Sequence, residues 1–268
     1  MSDLLVAIPL LIEWVLAVTV ATPFALVNNR FVYAHPRFGL ALWFAAFGSA
    51  ALALMSALAI AIWSVFDTYA RLQTVDASTD VVASILASFA PWLLLAFGGI
   101  TLALISQRLE PFAKTAEVEQ VSFNGGSLLR RHRGVQVFVV ELPVVLAFSI
   151  GRSASASDAK IVVTRQTVET LSADELVSVL DHEFYHLKAR HQLGQALVKL
   201  LSVLTARLLT TRLLLRETDL LTELAADQFA ARSSAPTIAA AALRRLIGHR
   251  NDRASTIRLE AFSRSAKN

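Results

Sequence analysis

The stretch of sequence that decides the fold reads Val179-Leu180-Asp181-His182-Glu183-Phe184-Tyr185-His186-Leu187. His182 and His186 are four residues apart, which on an α-helix places them about 40° apart on one face. Two imidazoles at this spacing can bind one zinc ion, and Glu183 between them can act on a water beside the metal. The H-E-x-x-H pattern therefore predicts a catalytic Zn²⁺ site on a helix, with Glu183 as the catalytic residue.

The residues that flank this motif predict where the helix begins. Ser172 is a good N-cap, and Glu175 stands three residues later, as in a capping box. We expect the helix to run to about residue 190. His191 lies nine residues after His182 and would face away from the metal if the helix continued through it.

A catalytic zinc site needs a third protein ligand, and the chain contains no cysteine. The best candidate is Glu223, because Asp227 follows it one helical turn later on the same face. Asp227 would accept an imidazole N–H and so fix the tautomer of a liganding histidine. Glu217 and Asp219 are the rival third ligands, although both are more typical of a charged helix start.

Around these motifs the pattern predicts a small sheet followed by helices. Three strands are expected, at residues 135–140, 144–150 and 160–164, with a turn at Asn124-Gly125-Gly126. The rest is helical, and its predicted segments are 193–215, 217–232 and 237–247. We interpret 193–215 as an amphipathic helix on the surface of the domain or the membrane, with a fourth membrane segment as the alternative.

The first part of the chain differs from the rest in composition. The protein has 268 residues, of which 55% are hydrophobic and 17% charged, and its mean hydropathy is +0.54. Three apolar runs, at about 4–27, 40–66 and 81–106, reach the length that crosses a bilayer. Glu13 is the only charged residue within them. We therefore predict a membrane domain of three transmembrane helices over 1–107 and a zinc metallopeptidase domain over 108–268.

The distribution of basic residues predicts the orientation in the membrane. Loop 28–39 carries two arginines and no acid, loop 67–80 carries one arginine, and residues 107–133 carry five Lys/Arg. Because Lys and Arg accumulate in cytoplasmic loops, we expect the N-terminus outside and the catalytic domain in the cytoplasm of a multi-pass cell-membrane protein. The cations of the second part are dispersed among acids, which argues against direct nucleic-acid binding.

These motifs resemble those of BlaR/MecR-type integral-membrane metallopeptidases, which are gluzincins. The resemblance covers about residues 143–249 and rests on 161–164, 171–176, 180–187, 190–191 and 223–227. It implies an α-helical membrane anchor plus an α+β zincin-like domain that is mainly helical with a small sheet. In that family the enzyme acts in signalling and leads to the loss of a cytoplasmic DNA-binding repressor. The HtpX and CAAX-prenyl-protease type is similar and is the close second.

Three functions follow from this reasoning. The first is an endopeptidase that cuts a cytoplasmic or juxtamembrane protein in signalling, with a DNA-binding repressor as the candidate substrate. The second is an HtpX-type quality-control protease of membrane proteins. The third is a catalytically silent sensor or scaffold that keeps zinc for stability. By resemblance to related enzymes, a substrate would lie along the strand at 144–150.

Overall fold

The computed structural model describes residues 2–74, 126–151, 153–204, 209–248 and 252–265. The chain forms two compact units, one made of Met1–Ala25 and Leu42–Ala113, the other of Leu26–Ala41 and Lys114–Asn268. The short segment between the first two apolar runs thus belongs to the unit that carries H-E-x-x-H. The third apolar run, 81–106, lies outside the described residues.

The described part of the first unit consists of long apolar helices. Helix α1 spans Ser2–Leu26 and helix α3 spans Pro36–Thr74. Within them, Ala7–Leu26 and Pro36–Ser64 are long and apolar enough to cross a membrane. Large side chains such as Leu52, at 69% exposure, are open to the surroundings, as expected of helices that face lipid rather than water.

The two long helices lie side by side. The indole Nε1–H of Trp14 donates to Oγ of Ser49 across 3.3 Å. Ala53 and Ala57, which belong to a run of small residues at every fourth position, are buried. Small side chains allow helix backbones to approach closely, so this stripe is an expected packing surface in an apolar environment.

The second unit contains a four-stranded sheet in the order β1-β2-β4-β3. Its strands are β1 (Ser127–His132), β2 (Val135–Val140), β3 (Ala147–Ile150) and β4 (Lys160–Thr164). Strands β2 and β4 are parallel, and the other two pairs are antiparallel. The predicted strand at 144–150 is shorter than expected because the chain bends after Pro143, but it does form an edge of the sheet.

Strand β1 was not predicted. Its side chains are almost all exposed, so it lacks the alternation of buried and polar residues that identifies a strand in a sequence. It pairs with β2 through a tight turn in which Arg133 and Gly134 both have positive φ angles. An isolated basic segment therefore becomes a strand only because its neighbour offers an edge.

Six helices complete the described part of this unit. They are α4 (Arg165–Thr170), α5 (Ala173–Lys188), α6 (His191–Leu204), α7 (Leu209–Ser234), α8 (Pro236–Ile247) and α9 (Arg253–Ser265). The predicted capping box of Ser172 and Glu175 starts α5. Residues 209–215, predicted as the end of a helix over 193–215, lie instead in α7 together with residues 217–232, and residues 205–208 lie outside the described residues. Helix α7 begins eight residues before Glu217, so Glu217 lies inside a helix and not at a charged helix start.

Helix α5 packs against one face of the sheet. Leu180 and Leu187, two turns apart on this helix, are buried among the inward valines of β2 and the residues Ile161 and Val163 of β4. Burial of these aliphatic side chains is the main stabilising contribution to this layer. The packing leaves the opposite face of α5, which carries the two motif histidines, turned toward α7.

The β1–β2 hairpin is also tied to α5 by charge. Asp181 is buried and accepts hydrogen bonds from Nε2 of His132 at 2.7 Å and Nη2 of Arg133 at 3.2 Å. Burial alone raises the pKa of Asp181, but the two partners outweigh burial and lower the pKa to about 2. The residue before the motif is therefore a structural anchor for the hairpin.

Candidate metal centre

Helices α5 and α7 bring three candidate ligands together. The Nε2 atoms of His182 and His186 are 3.1 Å apart. The carboxylate of Glu223 on α7 lies 3.3 Å from Nε2 of His182 and 3.4 Å from Nε2 of His186. Among the residues that the structure describes, these three form the one group of His, Asp or Glu side chains arranged to hold a metal ion.

The size of this group fits zinc. A tetrahedral zinc ion binds nitrogen and oxygen at about 2.0–2.1 Å, which places neighbouring ligand atoms roughly 3.3–3.4 Å apart. The two imidazole nitrogens are 3.1 Å apart, Oε2 of Glu223 lies 3.3 Å from the nitrogen of His182, and Oε1 lies 3.4 Å from the nitrogen of His186. Two imidazoles and one carboxylate are also the donor types that zinc accepts when cysteine is absent. The residues present therefore fit a zinc ion with three protein ligands.

Asp227 orients the first histidine. Nδ1–H of His182 donates to Oδ1 of Asp227 at a distance of 3.0 Å. This hydrogen bond fixes the tautomer in which Nε2 carries a free lone pair directed at the cluster. The geometry is the one that the spacing of Glu223 and Asp227 predicts.

Glu183 shares a cavity with the candidate ligands. The cavity has a volume of about 180 Å³ and is lined by His182, Glu183 and Glu223. Burial raises the pKa of Glu183. A raised pKa makes a carboxylate a better proton acceptor, and a carboxylate beside the reacting water can both accept and return a proton.

The other wall of the cavity is apolar. Residues 145–147, which lead into β3, line one side of the cavity, and small and aliphatic side chains of α8 line the opposite side. The α8 residues are Ala239, Ala242, Leu243, Leu246 and Ile247. The cavity therefore joins a cluster of polar groups to a surface that suits an apolar side chain.

Comparison with known proteins gives one match. Residues 115–256 match Peptidase family M48, and this region is more than half of the chain. The chain belongs to peptidase family M48. No curated protein and no solved structure matches it significantly.

Membership in M48 makes the chain a metallopeptidase, as predicted from H-E-x-x-H. The matched region contains the five residues singled out in the sequence, from His182 to Asp227. The BlaR/MecR and HtpX types both fit this membership, so the choice between them belongs to the function proposed below.

The candidate site includes a residue that the sequence did not reveal. Nε and Nη2 of Arg258 on α9 donate to the two oxygens of Asp227 at 2.7 and 2.8 Å, and Nη1 lies 2.9 Å from Glu223. Arg258 lies in a basic tail that had no assigned element. The available signal was an arginine beside two apolar residues, Leu259 and Phe262, in a helix-forming stretch.

The expectation for His191 is wrong. Helix α5 ends at Lys188, and Arg190 has a φ of 54°, so the chain turns before His191 begins α6. Nδ1 of His191 then lies 3.0 Å from Nδ1 of His186. When Nε2 of His186 faces the cluster, its Nδ1–H donates to His191, which supports His186 as Asp227 supports His182.

The rival ligands lie outside the cluster. Glu217 is fully buried and is bonded to Arg216, Arg253 and Tyr33 instead. Burial raises the pKa of Asp219, which has no place in the metal-binding group. Tyr185 is a packing residue, as expected, because its ring stacks on Phe229.

Charge in the cluster is unevenly distributed without a metal. Burial lowers the pKa of His182, but Asp227 and Glu223 outweigh burial and raise the pKa. Burial, together with the charge of His182, lowers the pKa of His186. Metal binding at Nε2 of His182 therefore competes with a proton for the same lone pair.

Proposed function

We propose that this chain is an integral-membrane zinc endopeptidase of the BlaR/MecR type that cuts a cytoplasmic or juxtamembrane protein in signalling. The observation that carries the proposal is the group of His182, His186 and Glu223, two of which line one cavity with Glu183. Membership in M48 and two apolar helices long enough to span a bilayer support the same assignment.

The chain's own groups supply proton transfer and orientation. Zinc, when bound, polarises the scissile carbonyl and makes the attacking water more acidic. Glu183 takes a proton from that water as the new C–O bond forms. When the C–N bond breaks, Glu183 returns the proton to the leaving amine. Asp227 and His191 keep the two liganding imidazoles in the tautomers that face the cluster.

Strand β3 offers the substrate a place to bind. It lies at an edge of the sheet, and an extended peptide can add to such an edge through main-chain hydrogen bonds. The residues that precede it line the same cavity as Glu183. A substrate along β3 would therefore pass the cluster, with an apolar side chain against α8.

The segment Leu26–Ala41 offers the signalling function a connection to the membrane. It joins the two candidate membrane helices, overlaps their ends and belongs to the compact unit of the peptidase. The proposed topology places loop 28–39 and the catalytic domain on the same, cytoplasmic side. A membrane-borne stimulus would then have a direct structural route to the site.

The test compares new protein N-termini in cells that express the wild type or Glu183→Gln, with Glu169→Gln as an exposed control. We expect one or a few cuts that depend on Glu183, in a small cytoplasmic protein such as a DNA-binding repressor. Many cuts in membrane proteins would instead support the HtpX type. If cells with the wild type and with Glu183→Gln show identical N-termini in the presence of the stimulus, the catalytically silent zinc-bearing sensor is the function that remains.

A further inference from the structure

The segment Leu26–Ala41, called here the docking segment, is held by the peptidase unit. Its short helix α2 (Arg30–Ala34) begins at Asn29, whose side chain accepts hydrogen bonds from the amides of Phe31 and Val32. Val32 is 1% exposed and Tyr33 is 6% exposed. A segment with a capped helix and buried side chains is an ordered structural element, not a loose linker.

The docking segment is bound to the peptidase unit through Glu217. Its carboxylate is fully buried inside α7, and the Tyr33 hydroxyl donates to it at 2.7 Å. Nη1 of Arg253, the first residue of α9, donates to the same carboxylate at 3.1 Å. A buried carboxylate is costly unless it is paired, so these partners account for its presence in the core.

Arg253 joins the docking segment to both helices. Its Nη2 donates to the hydroxyl of Tyr33 at 2.8 Å and to Oδ1 of Asn28 at 2.6 Å. The backbone N–H of Asn28 also donates to the Tyr33 hydroxyl. Every polar group of this cluster is therefore satisfied by a partner from another element, which makes the cluster specific for the docked arrangement.

The docking segment extends along the back of the turn that carries Glu223. A Cβ added to Gly39 would come within 2.5 Å of Val32 and 3.2 Å of Leu221, so the segment approaches α7 closely. Further along, Nε2 of Gln228 donates to the carbonyl of Ala34 at 2.9 Å. Residues 217, 221 and 228 share one face of α7 by helical geometry, while Glu223 faces the metal cluster.

Helices α7 and α9 are linked by two sets of ion pairs. Arg253 binds Glu217 at the docking segment, and five residues later Arg258 binds Asp227 and Glu223 at the metal cluster. The two sets are about 8 Å apart along α9. Helices α7 and α9 are therefore held together both at the docking segment and at the metal cluster.

A second contact leads from the docking segment to His186. The guanidinium of Arg37 lies 5.0 Å from the centre of the Tyr185 ring. That ring packs edge-on against His191, which is bonded to His186. Both metal-binding helices are thus reached from the same segment.

We propose that the docking segment positions the metal ligands, with Glu217 as the positioning residue that holds it. The proposal rests on the proposed function for its meaning, since it assigns a means of regulation to that site. When Tyr33 is bound to Glu217, α7 and α9 hold Glu223 in place for the metal. When the segment leaves, Arg253 and Glu217 lose their shared partner and the ligand geometry relaxes.

The experiment uses a single thiol as a reporter of docking. The chain has no cysteine, so Val32→Cys introduces the only thiol, at a position that is buried when the segment is docked. Phe31→Cys, at 57% exposure, is the freely reactive reference. Maleimide modification is measured on the full chain in bilayer nanodiscs, together with zinc retention against a chelator and with kcat and KM on a peptide.

In the Val32→Cys background, Glu217→Gln should speed modification at least about tenfold, because the charged partner of two hydrogen bonds is lost. Zinc retention and kcat should fall in parallel, with KM little changed. Tyr33→Phe removes one hydroxyl of the docking segment and leaves α7 and α9 unchanged in sequence. It should act in the same direction to a smaller extent. Glu260→Gln, an exposed site on α9, should change nothing.

Two results would overturn the proposal. One is faster modification of Val32→Cys with unchanged zinc retention and kcat, which would show that the docking segment can leave without disturbing the metal ligands. The other is unchanged modification in both Glu217→Gln and Tyr33→Phe. If the wild type cleaves no peptide but zinc retention still follows docking, the proposed function fails and this inference stands.

Discussion

Asp227 is the residue on which most of the site's geometry depends. One of its oxygens accepts Nδ1–H of His182, and both accept hydrogen bonds from Arg258. The same arginine also pairs with Glu223. Asp227 therefore sets the tautomer of one ligand and, through Arg258, the position of another.

The variant Asp227→Asn tests this role. The amide lacks the charge that holds the His182 N–H and Arg258, so Arg258 is left with Glu223 and draws it from the cluster. We expect zinc affinity to fall by roughly 10- to 100-fold. Zinc retained by the purified chain across a chelator series measures the change. Asp174→Asn, an exposed site on α5, is the control, and equal retention in the two variants would contradict the assignment.

The residues of the motif could be predicted because their spacing is local. His182, Glu183 and His186 lie within one turn and a half of a helix, and the pair Glu223 and Asp227 within one turn. Arg258 could not be placed in the same way, because its contacts with Asp227 join positions 31 residues apart. The position of His191 was predicted wrongly because the chain turns at Arg190, before His191, and the sequence pattern does not indicate this turn.

At the scale of elements, the β1–β2 hairpin depends on α5 for its position. Its own strand β1 is exposed, and its anchor is the buried Asp181. The hydrogen bonds from His132 and Arg133 keep Asp181 ionised. The hairpin should therefore lose its anchor when that carboxylate takes up a proton.

This dependence has a defined pH range. The pKa of Asp181 is about 2 in the folded protein, below its ordinary value of 3.8, so its stabilising contribution is present above about pH 4. That contribution is lost as the pH falls from about 4 to 2, and it amounts to about 2 kcal/mol at most. Thermal unfolding of the metal-free chain should show the wild type losing its advantage over Asp181→Asn across that range. A difference that is independent of pH would contradict the account.

The elements themselves were predictable to different degrees. Strands β2 and β4 and helix α8 alternate or repeat their apolar residues in the way their structures require, and their predicted bounds agree with the fold. Helix α7 was predicted to begin eight residues too late, because Glu217 resembles the exposed acid of a helix start. Its burial depends on Tyr33, 184 positions away in the chain, which no local pattern indicates.

At the scale of the whole molecule, the chain combines apolar helices with an M48 peptidase unit. Composition and hydropathy predict apolar helices followed by a domain of ordinary charge density, since lipid and water select different side chains. The docking segment is the exception, because its short sequence of mixed polar and apolar residues carries no sign of the unit to which it belongs. Its place in the peptidase unit follows from long-range contacts alone.

The central claim is that Glu183 performs proton transfer at a zinc site in this chain. The most direct measurement is the rate of peptide cleavage by the purified full chain and by Glu183→Gln, each with its zinc content determined on the same sample. We predict one zinc per chain in both, with a rate in Glu183→Gln that is lower by a factor of roughly 10² to 10⁴. Equal rates in the two proteins at equal zinc content would contradict the account.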